Sequence, residues 1–206
     1  MTTANADIIN LLAGISPGDA LDAVRDQRAQ AREHAQRSFE ALLEPAEAGT
    51  FPLAERYAVA TFVAQLHGFA EASDFYGDLL GDEAPALVEA VLVAARSGAT
   101  TGPFGAYREP ALQAENTEGL RWSADLALGE RLAAALTHAH LLVFRPREAR
   151  PEALRALVNA GWSADDIVSL SQLIAFLSFQ LRTAWGLRVL AQNPAASTPE
   201  LIVEGA

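Results

Sequence analysis

"LAERYAVATFVAQLHGFAEASDFYGDLL", residues 53 to 80, carries almost no strand signal and a dense helical one. Phe62, Leu66, Phe69, Tyr76 and Leu80 recur at steps of three, four and seven, which puts them on one apolar stripe of a helix. A second row runs through Arg56, His67, Glu71, Asp74 and Asp78. Such a row reads as a solvated face, with His67 and Glu71 as an i, i+4 pair. The spacing predicts one long helix from Leu53 to about Leu80, with Gly68 as a place where it can kink.

Working outward, the same helical period fills most of the chain. "SPGD" at 16 to 19 is a start signal, with Ser16 as N-cap and Asp19 reaching back, and the pattern after it runs to about Leu43. A shorter helix is expected from about Glu83 to Arg96. Residues 98 to 125 hold four glycines and two prolines and read as an irregular excursion. Helical pattern resumes from about Asp125 to Phe144, breaks at "RPREARP", and restarts at Pro151. "SADD" at 163 to 166 is a second capping box, which makes Asp165 and Asp166 capping acids and opens a helix to about Leu190. Residues 193 to 206 read as a loose tail. The expected class is all-α, one domain over 1–206.

Shifted by 110 residues, the chain echoes itself: Ala54 onward lies against Ala164 onward, each after an Ala-Gly turn, at Ala48-Gly49 and Ala160-Gly161. The echo suggests two similar halves around a pseudo-twofold.

Composition bounds the partners. A formal charge of -11 argues against nucleic acid and anionic membrane, both of which want a basic surface. Cysteine is absent, which removes disulfides, thiolate metal sites and cysteine nucleophiles. The N-terminus lacks the basic start and apolar stretch of a signal peptide, so a cytoplasmic protein is expected. The fifteen uncharged residues between Asp166 and Arg182 fall short of the roughly 20 that a bilayer needs and read as a core helix.

A helix opening "LAER", an apolar stretch ending "LHG", and "AGWSADDIVSLSQLIAFLSFQLRTAWGL" at 160 to 187 together resemble the carboxymuconolactone decarboxylase and alkylhydroperoxidase D-like (AhpD-like) superfamily. The likeness is to its peroxidase-related branch, on Phe176, Phe179, Arg182, Gly186 and Leu187, with "HAHLLVFRPREA" adding to it. The resemblance implies the AhpD-like helical fold and an oligomer. Active members carry a Glu, then a Cys that opens Cys-x-x-Cys-x-x-x-His: one thiolate attacks peroxide, the other resolves it, and Glu and His relay protons. Laid onto this chain, those four places hold Tyr57, Phe69, Ala72 and Tyr76. The stretch therefore resembles a redox site refilled with aromatic and small residues. Glu55 lies two residues early, where an acid favours the helix dipole.

The remaining candidates are few. Tyr57, His67, Tyr76 and His138 are the groups left for acid–base chemistry in the same pocket. His138 and His140 stand about 200° apart on a helical wheel and do not share a metal, so no metal and no cofactor is implied. One of them should face the core or an interface. His34 is read as solvated. Arg182 follows the uncharged run, so it should be buried with an acid, carbonyls or an anionic ligand, near Tyr57, Phe69, Tyr76 and Phe179 if the echo holds. "GPFG" at 102 to 105 is too short and proline-bound for a phosphate loop. Three functions follow: a thiol-less family member binding a small organic molecule or partner, a cysteine-independent acid–base enzyme of decarboxylase or isomerase type, or a structural subunit for a cysteine-bearing relative. A homo-oligomer, dimer or larger, is expected, with Phe104, Tyr107 and Trp122 as anchors between subunits.

Overall fold

The structure is a computed structural model, and it describes residues 7–193. It is all-α: among those residues there is no strand. Nine α-helices follow in order: α1 Ile8–Ala13, α2 Ala20–Asp26, α3 Ala29–Leu43, α4 Leu53–His67, α5 Ala70–Glu83, α6 Pro85–Gly98, α7 Glu130–Phe144, α8 Pro151–Asn159 and α9 Ala164–Gln192. Residues 194–206, which hold nearly all of the expected tail, lie outside the described part.

The centre of the molecule is α4. It touches α3, α5, α6, α7 and α9, and every residue from Arg56 to Ala64 is buried. A helix that is enclosed all round has no solvent stripe to show, which is why its apolar pattern is continuous. The expected single helix over 53–80 is two. Gly68 adopts φ 65° and caps α4, and Phe69 becomes the N-cap of α5. Glycine alone takes that left-handed conformation without a steric penalty, so the chain turns there instead of kinking. Thr61 Oγ1 then donates to the Tyr76 carbonyl at 2.9 Å and ties α5 back onto α4.

Of the two expected capping boxes, the one at Ser163 forms, while Ser16 is not the N-cap it was expected to be. Ser163 Oγ accepts from Asp166 N at 3.1 Å and starts α9. The Ser16 amide donates to Asp19 Oδ2 at 2.7 Å, but α2 begins only at Ala20 with Asp19 as its N-cap. The pattern that was expected to run unbroken to Leu43 stops at Gln27 and resumes as α3.

The periodicity did not reveal α1. Six residues are too short for a helix to be stable alone, so its order comes from packing and polar ties. Ile8, Ile9 and Leu12 are buried, and Arg32 bridges Asp7 at 2.9 Å and Asp22 at 2.8 Å, joining α1, α2 and α3.

Segment 98–125 is irregular apart from a 3₁₀ turn at Pro110–Glu115. The three rings expected to anchor a neighbouring subunit are used within the chain. Trp122 stacks on Phe62 at 5.2 Å and donates to Ser97 Oγ at 2.9 Å. Phe104 packs half-buried against the core, with its amide donating to Phe144 O at 2.6 Å, and Tyr107 lies under the Arg147 guanidinium at 4.1 Å.

By length and composition α9 is long and apolar enough to cross a membrane. Here one side of it packs against α1, α3, α4, α7 and α8.

Candidate functional site

The four positions that the redox motif would occupy are all interior. Phe69 is 1% exposed, Ala72 and Tyr76 are 0%, and Tyr57 is 8%. The Phe69 ring meets Trp185 edge-on at 5.7 Å, and Tyr76 meets Phe75 at 5.1 Å. Tyr76 Oη donates to Gln180 Oε1 at 2.5 Å, across from α5 to α9. Burial pushes the Tyr76 phenol far up, and burial with Glu44 and Glu83 nearby raises that of Tyr57. Neither tyrosine can serve as a base near neutral pH, because neither ionises there.

His67 sits where α4 ends. Its Nδ1–H donates to Val63 O at 2.9 Å, and its Nε2 is buried without a partner. Burial lowers its pKa, and Arg182 pushes the same way. The solvated row expected around it holds only on α5, where Glu71, Asp74 and Asp78 are exposed. Arg56 is buried and donates to Phe51 O at 2.8 Å and Leu42 O at 2.7 Å. Glu71, expected to pair with His67, pairs with Arg188 of α9, because the turn at Gly68 breaks the i, i+4 relation.

Arg182 corrects a further expectation. It is exposed and has no hydrogen bond and no ion pair among the described residues. It does border the same small cleft as His67, Phe69 and Trp185, about 230 Å³ in volume, but its expected burial is wrong, and Tyr57 and Tyr76 do not line that cleft. The α9 helix carries it on the outward side.

A cation paired with acids is found elsewhere, half-buried on α7. Arg131 of α7 holds Glu55 at 2.9 Å, donates to Gly161 O and Thr50 O at 2.8 Å each, and stacks over Trp162 at 4.0 Å. Asp166 stands 3.6 Å from it and accepts from Thr50 Oγ1 at 2.9 Å. Burial raises the Glu55 carboxyl despite Arg131. Burial also works against the charge of Asp166, but hydrogen bonds from Ser163 and Thr50, with Arg131, hold it below the usual range. Glu55 and Asp166 are thus more than end-of-helix acids. They fasten both Ala-Gly turns, whose glycines take φ 62° and 88°, to α7. A tie spanning 76 residues leaves no local mark in a sequence.

His138 and His140 are both buried, where one was expected to be. His140 Nε2–H donates to Gly98 O at 2.9 Å, and His138 Nε2 meets Ser171 Oγ at 3.2 Å. Each keeps a buried Nδ1 with no partner. Burial lowers both pKa values, so both imidazoles are neutral near pH 7.

His138 borders a roomier cavity than the two of about 230 and 380 Å³ that His67 borders. This space of about 600 Å³ lies between α7, α8 and residues 121–126. Ala133 and Ala134 on α7 and Ala153 and Ala156 on α8 give much of the wall methyl groups, and Arg121, Glu130, Thr137, His138, Arg145 and Asn159 are its main polar members. The dimensions suit a small organic molecule, apolar over most of its surface with one polar or anionic end. His67 and His138 border different cavities, and Tyr57 and Tyr76 stand in the packed core, so the four acid–base candidates do not share one pocket. Among the described residues no group of three or more His, Asp or Glu side chains could hold a metal ion. The alanines gave no signal in the sequence, because small residues on a helix read as ordinary packing.

Comparison of the chain with family models, with curated proteins and with solved structures gives no match in any of the three.

Proposed function

We propose that this chain is a cysteine-free member of the AhpD-like superfamily, cytoplasmic, that binds a small organic molecule and does not turn over peroxides. The family reading rests on the motifs quoted above and is consistent with an all-helical chain whose Tyr57, Phe69, Ala72 and Tyr76 are buried. The observation that carries the binding reading is the methyl-lined cavity of about 600 Å³ with the neutral His138 on its wall. Arg121 and Arg145, both paired with Glu148, stand on its wall and favour a polar or anionic end there.

The test uses 8-anilinonaphthalene-1-sulfonate, which has an apolar body and one anionic group. Its fluorescence should rise on titration into folded protein, and Ala156→Trp, which fills the cavity, should abolish the rise while leaving the helical circular dichroism unchanged. Equal binding by both proteins would overturn the assignment. In parallel, an organic hydroperoxide with a thiol reductant should be consumed no faster than in buffer, since there is no thiolate to oxidise.

A further inference from the structure

We propose that the outward side of α9 seats a second copy of this chain, with the two α9 helices antiparallel about a twofold axis. The inner side of α9 is a seam of buried residues at steps of three and four: Ile167, Leu170, Ile174, Leu177, Leu181 and Ala184. On the opposite side a second seam, with the same steps, is exposed throughout: Asp165, Val168, Gln172, Ala175, Phe179 and Arg182, continuing to Gly186 and Val189. A strict alternation of three and four is the spacing that one helix needs to keep facing another along its length. Its apolar members lie open to solvent, with Val168 at 56% and Phe179 at 50%, and Trp185 beside them at 53%.

Charge selects the occupant. Asp165 and Arg182 close the two ends of the seam, and neither has a hydrogen bond or an ion pair among the described residues. An arginine and an aspartate 17 positions apart on one helix cannot reach each other, because about 1.5 Å per residue separates them by roughly 25 Å. A twofold axis passing between Gln172 and Ala175 solves both ends at once. It sets Asp165 against the partner's Arg182, Val168 against the partner's Phe179, and Gln172 against the partner's Ala175. Moving the register by one heptad either way removes the ion pairs. A parallel arrangement sets Asp165 against Asp165 and Arg182 against Arg182, which is repulsive. The seam is complementary to itself in one orientation and one register. A lipid surface fits it less well, since both ends are charged and the chain carries a net -11.

Light scattering on the full chain at about 20 µM in physiological salt should give twice the 21.9 kDa chain mass. Arg182→Asp or Asp165→Arg alone sets like charges together at both ends and should weaken dimerisation at least about tenfold, and the double variant should recover it. Because the chain has no cysteine, a Gln172→Cys/Ala175→Cys variant should form an intermolecular disulfide on mild oxidation. A monomeric mass overturns the proposal, including one in which residues 194–206 or added lipid vesicles cover the seam. So does a dimer that ignores both charge changes and fails to cross-link.

Discussion

The α4–α5 corner and the α7–α8 face both place a histidine, alanines and apolar side chains beside α9, yet one is filled and the other is open. At the corner, Phe69 and Tyr76 are buried against the rings of Trp185 and Phe75, and a cleft of only about 230 Å³ remains beside His67. At the α7–α8 face, alanines oppose alanines and about 600 Å³ remains. The corner is where a motif directs the eye, and its residues do packing. The face has no motif and offers the volume. Room for a ligand is set by side-chain size across a helix pair, not by the presence of reactive residue types on one helix.

The largest expected effect sharpens that contrast. Phe69→Ala should destabilise by about 3–5 kcal/mol, because a fully buried ring leaves a void that close-packed neighbours refill only in part. Chemical unfolding monitored by circular dichroism measures it. A loss below about 1 kcal/mol would mean that the corner already has slack.

Next comes the node that fastens the two Ala-Gly turns. Arg131→Met leaves Glu55 and Asp166 without their shared cation, and should cost about 2–3 kcal/mol, less than a fully buried pair because the site is partly open to solvent. The same substitution at the exposed Arg182 should leave the unfolding midpoint of the monomer almost unchanged.

Tyr76→Phe should cost about 1–2 kcal/mol, since it strands Gln180 Oε1 in the core beside an amide nitrogen that already lacks a partner. On the open side, Ala156→Leu should change stability by no more than about 1 kcal/mol, because the added methyls enter existing space. A strongly destabilised Ala156→Leu would show that the cavity is smaller than its geometry indicates.

The smallest effect is a pH dependence. Burial holds His138 and His140 below the ordinary 6.5, so the unfolded chain takes up protons first as pH falls. The stability they contribute is complete above 6.5 and is lost from there down to their folded values. Glu55, raised above 4.5, acts in the opposite sense at lower pH, and its contribution is lost as pH rises through its folded value. Urea midpoints between pH 7.5 and 5.5 should decline, and His138→Gln should flatten the decline.

Most of the fold was legible in the sequence because helical periodicity, the Ser163 capping box and the prolines at 85 and 151 are local signals. Gly68 was visible too, but whether a glycine bends a helix or ends it depends on what the next residues pack against. The short α1 was not legible, since Asp7, Asp22 and Arg32 stabilise it across three elements. For the site, Phe69 and Tyr76 were read onto an apolar stripe, and both are buried. Arg182 was misread because an uncharged run says that a helix is apolar, not which of its sides is enclosed. The cation held by acids is Arg131, half-buried on α7, whose acids lie far away in sequence.

Alanine-methyl NMR during titration with 8-anilinonaphthalene-1-sulfonate tests the contrast most directly, since each region has its own reporters. The methyls of Ala133, Ala134, Ala153 and Ala156 should shift, and that of Ala72, sealed between Phe69 and Tyr76, should not. Shifts centred on Ala72, or none at the four cavity alanines, would contradict the reading of α7–α8 as the binding face.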